Sequence, residues 1–195
     1  MKKAVSLVLV FVFVMTLFGC TAPEPLPEGY DEFCRSAFEE KILDPDDALA
    51  WSIANNVVVI NGNECVSGGG LMSSFYGLTK NGEPASLLCA MYYGTSTPSE
   101  NSEYPKLFFI YVVYDGNSYH MKDRECRTGE LDRETDFAHL LHLTGKFENT
   151  RKYSNYEYYV LTDEASATWE DIRAGMISSQ SEDFIDYEVL FENLT

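Results

Sequence analysis

The sequence lacks the short motifs that mark the common catalytic and cofactor-binding sites. It contains no G-x-S-x-G elbow, no G-x-x-x-x-G-K-[ST] phosphate loop, no D-x-[DN]-x-[DN]-G calcium loop and no C-x-x-C pair. These absences remove the recognisable forms of serine hydrolase, nucleotide-binding, calcium-binding and redox or zinc-ribbon sites. We therefore expect no catalytic residue, no metal site and no cofactor.

Basic residues are scarce. Only 14 Lys and Arg stand against 31 Asp and Glu, for a formal net charge of −17. A strongly acidic surface repels phosphate backbones and anionic lipid head groups, so we expect no nucleic-acid partner. Aromatic residues are plentiful, with 13 Tyr and 12 Phe, which is enough to build a sizeable core.

Long hydrophobic runs are also missing, with one exception at the start of the chain. Lys2 and Lys3 precede an almost wholly apolar run over residues 4–18, which Gly19 and Cys20 follow. A basic head and about 7–15 apolar residues are typical of an export signal, whereas a bilayer span needs about 20 residues.

The end of this run, Leu17-Phe18-Gly19-Cys20, resembles the lipobox of bacterial lipoproteins, although Phe18 departs from the small residue that is commoner there. The resemblance implies cleavage before Cys20 and a diacylglycerol on its sulfur. We thus expect a signal peptide over 1–19 and a tether over 20–29, where prolines at alternate positions favour an extended chain. The protein would be lipid-anchored to the cell membrane and face outside the cytoplasm.

Residues 30–195 are predicted to form a single α+β domain, in which two or three helices pack on a mainly antiparallel sheet. Apolar periodicity, capping residues and turn signals indicate helices over 30–42, 44–55, 71–80 and 168–178. Apolar or alternating runs indicate strands over 57–60, 85–93, 107–114, 118–122 and 156–162. A helix or a strand would fit 137–143, and its partial alternation favours a strand. We expect 123–136 to be irregular and 94–105 to be an exposed loop, and 185–194 is a weaker, mixed segment.

The order of predicted helices and strands over residues 48–93 resembles that of a known family of domains. A helix ends at Asn55-Asn56, Val57–Gly62 follows, then come a helix with Leu71 and Phe75 and a strand ending at Tyr92-Tyr93. This order is similar to small uncharacterised lipoprotein domains of Gram-positive bacteria. That family has no assigned activity, so the resemblance implies no functional residue.

Several histidines, serines and glycines are candidates for metal binding, catalysis or phosphate binding, but their spacing and predicted positions do not favour these roles. His139 and His142 are three apart, so on a strand they would point to opposite faces and could not readily share an ion. His120 has no evident partner. Ser73 and Ser74 lie at the polar side and margin of a predicted helix, and Gly68–Gly70 is better explained as a flexible start to that helix than as a phosphate cradle.

Two sets of side chains keep open interpretations. Export would allow disulfides among Cys34, Cys65, Cys89 and Cys126, and the sequence does not reveal the pairing. A ligand groove or a packed sheet face would each explain the tyrosines at Tyr92, Tyr93, Tyr153, Tyr156, Tyr158 and Tyr159.

From the sequence we therefore expect a lipid-anchored binding or interaction module, whose partner is the membrane through Cys20 and an envelope protein, peptide or glycan. An envelope hydrolase with a non-standard active site is the alternative, and a purely structural spacer is a third reading.

Overall fold

The computed structural model describes residues 25–94, 104–147, 152–177 and 185–195. The expected signal peptide, Cys20 and the first half of the expected tether lie outside these ranges, as do most of residues 94–105. The described chain has the α+β fold class that the sequence predicts.

The described residues form four helices, one at each of the four ranges where the sequence indicates a helix, so all four belong to the fold rather than two or three. They are α1 (Tyr30–Glu40), α2 (Pro45–Ala54), α3 (Gly69–Lys80) and α4 (Trp169–Ile177). Pro45 holds the first position of α2, and Asp46 and Asp47 lie in the first turn, where the positive end of the helix dipole favours acidic side chains.

Helix α4 begins with the capping box that the sequence predicts. The Asp171 carboxylate accepts a hydrogen bond from the Thr168 backbone N–H at 2.8 Å, and the Thr168 hydroxyl accepts one from the Asp171 N–H at 3.4 Å. Two backbone donors at the start of the helix are thus satisfied reciprocally.

Nine strands form two sheets in the described chain. In sequence order they are β1 (Val58–Asn61), β2 (Glu64–Ser67), β3 (Ala85–Tyr93), β4 (Lys106–Tyr114), β5 (Tyr119–Glu125), β6 (Arg133–Phe137), β7 (His139–Lys146), β8 (Asn155–Thr162) and β9 (Tyr187–Leu194). The large sheet has the order β2-β1-β3-β4-β5-β6, and the small sheet has the order β7-β8-β9. Strands β1 and β3 are parallel, whereas the other pairs are antiparallel.

The charged segment 123–136 is more regular than expected. Its first three residues extend β5, and Arg133–Phe137 forms β6, which pairs with β5 at the edge of the large sheet. An edge strand with exposed charged side chains has little apolar periodicity, so the sequence pattern misses it. The short strand β2 was missed for the same reason, since only its Cys65 and Ser67 are partly buried.

The large sheet is covered on both faces. On one face Trp51 of α2 contacts Phe109, with ring centroids 6.1 Å apart, and the Arg124 guanidinium lies 5.3 Å from the ring of Phe38 in α1. On the other face Phe75 of α3 contacts Tyr119, with centroids 6.3 Å apart. The small sheet also lies on this second face, where Tyr159 of β8 contacts Tyr76 of α3 with ring centroids 5.4 Å apart.

Candidate functional site

A cleft of about 530 Å³ opens on the second face of the large sheet, between that sheet and strand β9. We call it the inter-sheet cleft. Its floor comes from the end of β3, the start of β4 and the end of β5, and its opposite wall comes from β9 and from Met176 of α4.

Strand register explains which side chains form the floor. Tyr93 pairs with Lys106, Met91 with Phe108, and Ile110 with Asp123. Side chains of directly paired residues point to the same face of a sheet, and positions two apart along a strand do so as well. The alternation therefore places two aromatic rings, two aliphatic side chains and two charged groups on one continuous surface. The residues are Met91, Tyr93, Lys106, Phe108, Ile110 and Asp123.

One arginine connects the two sheets beside the cleft. The Arg133 guanidinium on β6 donates to Asp123 on β5 at 3.2 Å and to Glu188 on β9. The two carboxylates line the cleft from opposite sides. Arg133 thus fixes the position of β9 relative to the large sheet.

These two carboxyl groups lie in a partly dry environment. Burial raises the pKa of both Asp123 and Glu188, and the charge of Arg133 offsets part of that effect. The Asp123 Oδ1 atom is buried and has no hydrogen-bond partner among the described residues. A buried carboxylate oxygen without a donor is costly in a folded protein, and a positive charge bound nearby would offset part of that cost.

A third carboxylate is held in place by two neutral donors. Asn63 Nδ2 donates to Glu192 Oε1 at 2.9 Å, and the Tyr158 hydroxyl donates to the same oxygen at 2.7 Å. Burial, followed by this bond to Glu192, raises the pKa of Tyr158. Both donors are neutral, so these two bonds hold the Glu192 carboxylate in place at the cleft without neutralising its charge.

The rim of the cleft is aromatic. Tyr93 and Phe108 meet edge to face, with ring centroids 6.1 Å apart. Tyr93 is 48% exposed and Tyr104 is 52% exposed, and both line the cleft. Burial and the nearby charges of Glu188 and Glu192 raise the pKa of the Tyr93 hydroxyl. Aromatic faces and carboxylates thus lie within electrostatic reach of each other.

The structure divides the tyrosines that the sequence singled out. Tyr93 lines the cleft, whereas the Tyr92 side chain points to the other face of the large sheet, where its hydroxyl donates to Asp46 of α2 at 2.7 Å. Tyr156 and Tyr158 instead stack on Trp169, with centroids 4.8 Å and 4.4 Å away, and Tyr153 packs in the same cluster. Packing therefore accounts for Tyr153, Tyr156 and Tyr158, and Tyr93 is left as the candidate for a ligand groove.

Tyr159 and the histidines lie outside the cleft. Tyr159 stacks on His142 with centroids 4.2 Å apart, and His142 Nε2 lies 2.9 Å from Glu157 Oε1. His139 and His142 are both on β7, and a separation of three places them on opposite faces. The described residues contain no group of three or more His, Cys, Asp or Glu that could hold a metal ion.

His120, in contrast to the expectation, has two acidic partners. Its Nδ1 lies 2.7 Å from Asp136 Oδ1, and its Nε2 lies 3.3 Å from Asp115 Oδ2. The sequence hides this arrangement because Asp136 belongs to β6, which was not predicted. Hydrogen bonds to Asp136 and Asp115 raise the pKa of His120.

The serine and glycine candidates have structural roles. The Ser73 hydroxyl donates to the Gly69 carbonyl at 3.2 Å, and Ser74 is buried instead of lying at the polar margin. Gly68 has φ of 70°, and a Cβ there would lie 2.6 Å from the Val57 oxygen. The first glycine of the run is thus required by a close backbone contact, which replaces the flexible start that we expected at that position.

The four cysteines are free thiols in the structure. Cys34, Cys89 and Cys126 are buried and Cys65 is half-buried. Burial raises the pKa of the Cys34 thiol to about 12 and raises that of Cys89 further from its ordinary value. Thiols with raised pKa values are poor nucleophiles at neutral pH.

Sequence reasoning missed Asp123, Arg133, Glu188 and Glu192, which come from the neighbouring strands β5 and β6 and from the distant strand β9. One signal was available for Asp123. Tyr119 and Met121 alternate with His120 and Lys122, so Asp123 falls on the apolar side of the period. A charged residue at an inward position of a strand is unusual enough to flag.

No protein-family model matches this chain, and searches of curated proteins and of solved structures also gave no match. Among the described residues, none of the helices combines the length and the apolar character needed to cross a membrane.

Proposed function

We propose that this protein is a lipid-anchored module that lies outside the cytoplasm and binds a ligand in the inter-sheet cleft. The observation that carries the binding role is the cleft itself, which combines exposed aromatic faces with fixed carboxylates from two sheets. Ligand sites are concave and largely apolar, with a few fixed polar groups that set orientation. The anchor rests on the sequence pattern that ends at Cys20.

A second candidate function has one observation in its favour. Asp123 and Glu188 face a cleft with raised pKa values, and acid–base catalysts often show that combination. Arg133 donates to both carboxylates, however, and its positive charge favours their ionised forms, which have no proton to donate and are weaker bases. We therefore favour binding, and hydrolysis remains an outcome of the test.

The test is an amide-shift NMR screen of the purified full chain in a nonionic detergent. The compounds are neutral oligosaccharides, short peptides from the cell envelope, organic amines and organic acids. We expect at least one class to shift amides of β3, β4 and β9 around the cleft. Tyr93→Ala should weaken that binding at least about tenfold, because it removes a half-exposed aromatic wall.

The matched control is Tyr153→Ala, which removes a partly buried tyrosine of the α4 cluster and leaves the cleft lining intact. Binding that is unchanged in Tyr93→Ala, or shifts that fall away from the cleft, would refute the binding role. Conversion of a compound into cleaved products, lost in Asp123→Asn, would establish the hydrolase instead.

A further inference from the structure

We propose that the inter-sheet cleft selects an organic ammonium ion, a positively charged nitrogen carried on a small apolar body. This inference rests on the proposed binding role and specifies the chemistry of the ligand. It is carried by the juxtaposition of Tyr93, Phe108 and three carboxylates on facing walls.

Charge favours a cation over an anion. Three carboxylates line the cleft, from Asp123, Glu188 and Glu192, whereas Lys106 is the cationic lining residue among those described and Arg133 is shared between two of the acids. A cationic ligand would enter a region of negative potential.

The polar atoms favour a group that brings positive charge with it. Asp123 Oδ1 lacks a donor within the described chain, and Glu192 is bound by the neutral groups of Asn63 and Tyr158. A bound cation would stabilise both carboxylates without displacing Arg133. An anionic ligand would instead be repelled by the three carboxylates of Asp123, Glu188 and Glu192.

The aromatic rim favours an ammonium ion over a hydrated metal ion. The face of an aromatic ring carries negative potential, and rings within about 6 Å of an alkylated ammonium ion bind it strongly. Tyr93, Tyr104 and Phe108 lie along one side of the cleft, and Met91 and Ile110 give it an apolar floor. An apolar body can bury its surface there while its charge lies near the carboxylates.

The experiment compares three probes of nearly identical shape. Choline carries a trimethylammonium group, 3,3-dimethylbutan-1-ol replaces that nitrogen by carbon, and 3,3-dimethylbutyrate bears a negative charge. Amide shifts of the full chain are followed by NMR in a nonionic polyoxyethylene detergent, with chitotetraose as a neutral glycan. We expect choline to shift cleft amides and to bind at least about tenfold more tightly than the neutral alcohol.

Substitutions separate the contributions of charge and ring. Asp123→Asn and Glu192→Gln should each weaken choline binding several-fold, because each removes one negative charge from the wall. Tyr93→Phe should bind choline nearly as well as the unmodified chain, whereas Tyr93→Ala should not, because the ring face is what contacts the cation. Glu83→Gln is the matched control, since Glu83 is exposed and precedes the opposite end of β3.

Two results would overturn the ammonium inference while leaving a binding role standing. One is equal binding of choline and the neutral alcohol in the cleft. The other is cleft shifts with chitotetraose or 3,3-dimethylbutyrate and none with choline. Choline shifts that are equal in Glu83→Gln, Asp123→Asn and Glu192→Gln would also refute it, since they would indicate attraction to the acidic chain as a whole. If every class in the wider screen leaves the cleft amides unmoved, the proposed function itself fails.

Discussion

At the scale of single residues, Arg133 is the side chain that connects the two walls of the cleft. It joins Asp123 and Glu188, which belong to different sheets and whose carboxyl pKa values burial has raised. The side chain of Arg133 is 44% exposed, so solvent screens each pair. Its positive charge offsets the repulsion between two carboxylates that would otherwise face each other without a cation.

We predict that Arg133→Met lowers the free energy of unfolding by about 1–2 kcal/mol at pH 7, since it leaves two partly buried carboxylates unpaired. Without the arginine both carboxyl pKa values rise further above their ordinary 3.8 and 4.5. A carboxyl with a raised folded-state pKa favours folding as it gains a proton, so the deficit should shrink as the pH falls from 7 towards about 5.

Urea unfolding at several pH values measures this effect. Lys122→Met is the matched control, because Lys122 pairs with Glu134 at 3.0 Å between two exposed side chains and should cost no more than about 0.5 kcal/mol. A deficit in Arg133→Met that does not depend on pH would contradict the electrostatic account.

His120 offers a second prediction at this scale. Its hydrogen bonds to Asp136 and Asp115 should hold its pKa above the ordinary 6.5. The stability that this raised pKa provides is fully present below pH 6.5 and is lost as the pH rises through the folded-state value. An NMR titration of the His120 ring should show a pKa above 6.5, and Asp136→Asn should lower it. Glu134→Gln, a neighbour that pairs with Lys122, should leave it unchanged.

At the scale of elements, the start of helix α3 is constrained by close backbone contact. Gly68 has a positive φ and lies against the backbone of Val57 and Val58, whereas Gly70 has no atom within 4 Å of a built Cβ and lies inside the helix. Two glycines of one run therefore have opposite requirements.

We predict that Gly68→Ala lowers the free energy of unfolding by at least about 2 kcal/mol, because the new methyl group meets fixed backbone and the left-handed conformation disfavours it. Gly70→Ala should raise stability by about 0.5–1 kcal/mol, since alanine favours the helix. Gly62→Ala, with a positive φ of 62° but open space around it, should cost an intermediate amount. Thermal unfolding of the three variants checks this order, and an equal effect in all three would contradict it.

The elements also show what the sequence could predict. Ala85–Tyr93 matches the predicted strand at both ends, because its run of apolar residues is buried on both faces and turn residues bound it. The capping box at Thr168 was found because its residues are adjacent in sequence. Strand β6 and the partner of His120 were missed, because their order comes from pairing across the sheet rather than from a local pattern. The same reason explains the cleft, whose carboxylates and arginine come from β5, β6 and β9.

At the scale of the whole molecule, the two sheets share one core. The main buried cluster includes residues of β3 and β4 together with Leu161, Leu190 and Phe191 of the small sheet. Both sheets thus contribute to this cluster, and a second, smaller buried cluster in the small sheet and α4 includes Val160 and Ile172.

The predicted anchor is tested on the full chain. We expect Cys20→Ala to abolish metabolic labelling with fatty acid and to move the protein out of the membrane fraction or leave it uncleaved, because the sulfur that would carry the diacylglycerol is missing. Cys34→Ala is the control, since that cysteine is buried in the fold. Fatty-acid labelling that survives in Cys20→Ala would show that the lipobox interpretation is wrong.

The position of β9 has a consequence for the order in which the cleft is made. This strand comes after every other described strand, yet its Leu194 N–H bonds to the carbonyl of Asn63, between β1 and β2, at 3.0 Å. During synthesis from the amino terminus, the floor of the cleft leaves the ribosome well before Glu188 and Glu192 exist. A growing chain therefore carries only part of the cleft, and the cleft is complete only after the last strand has returned to join segments made more than a hundred residues earlier.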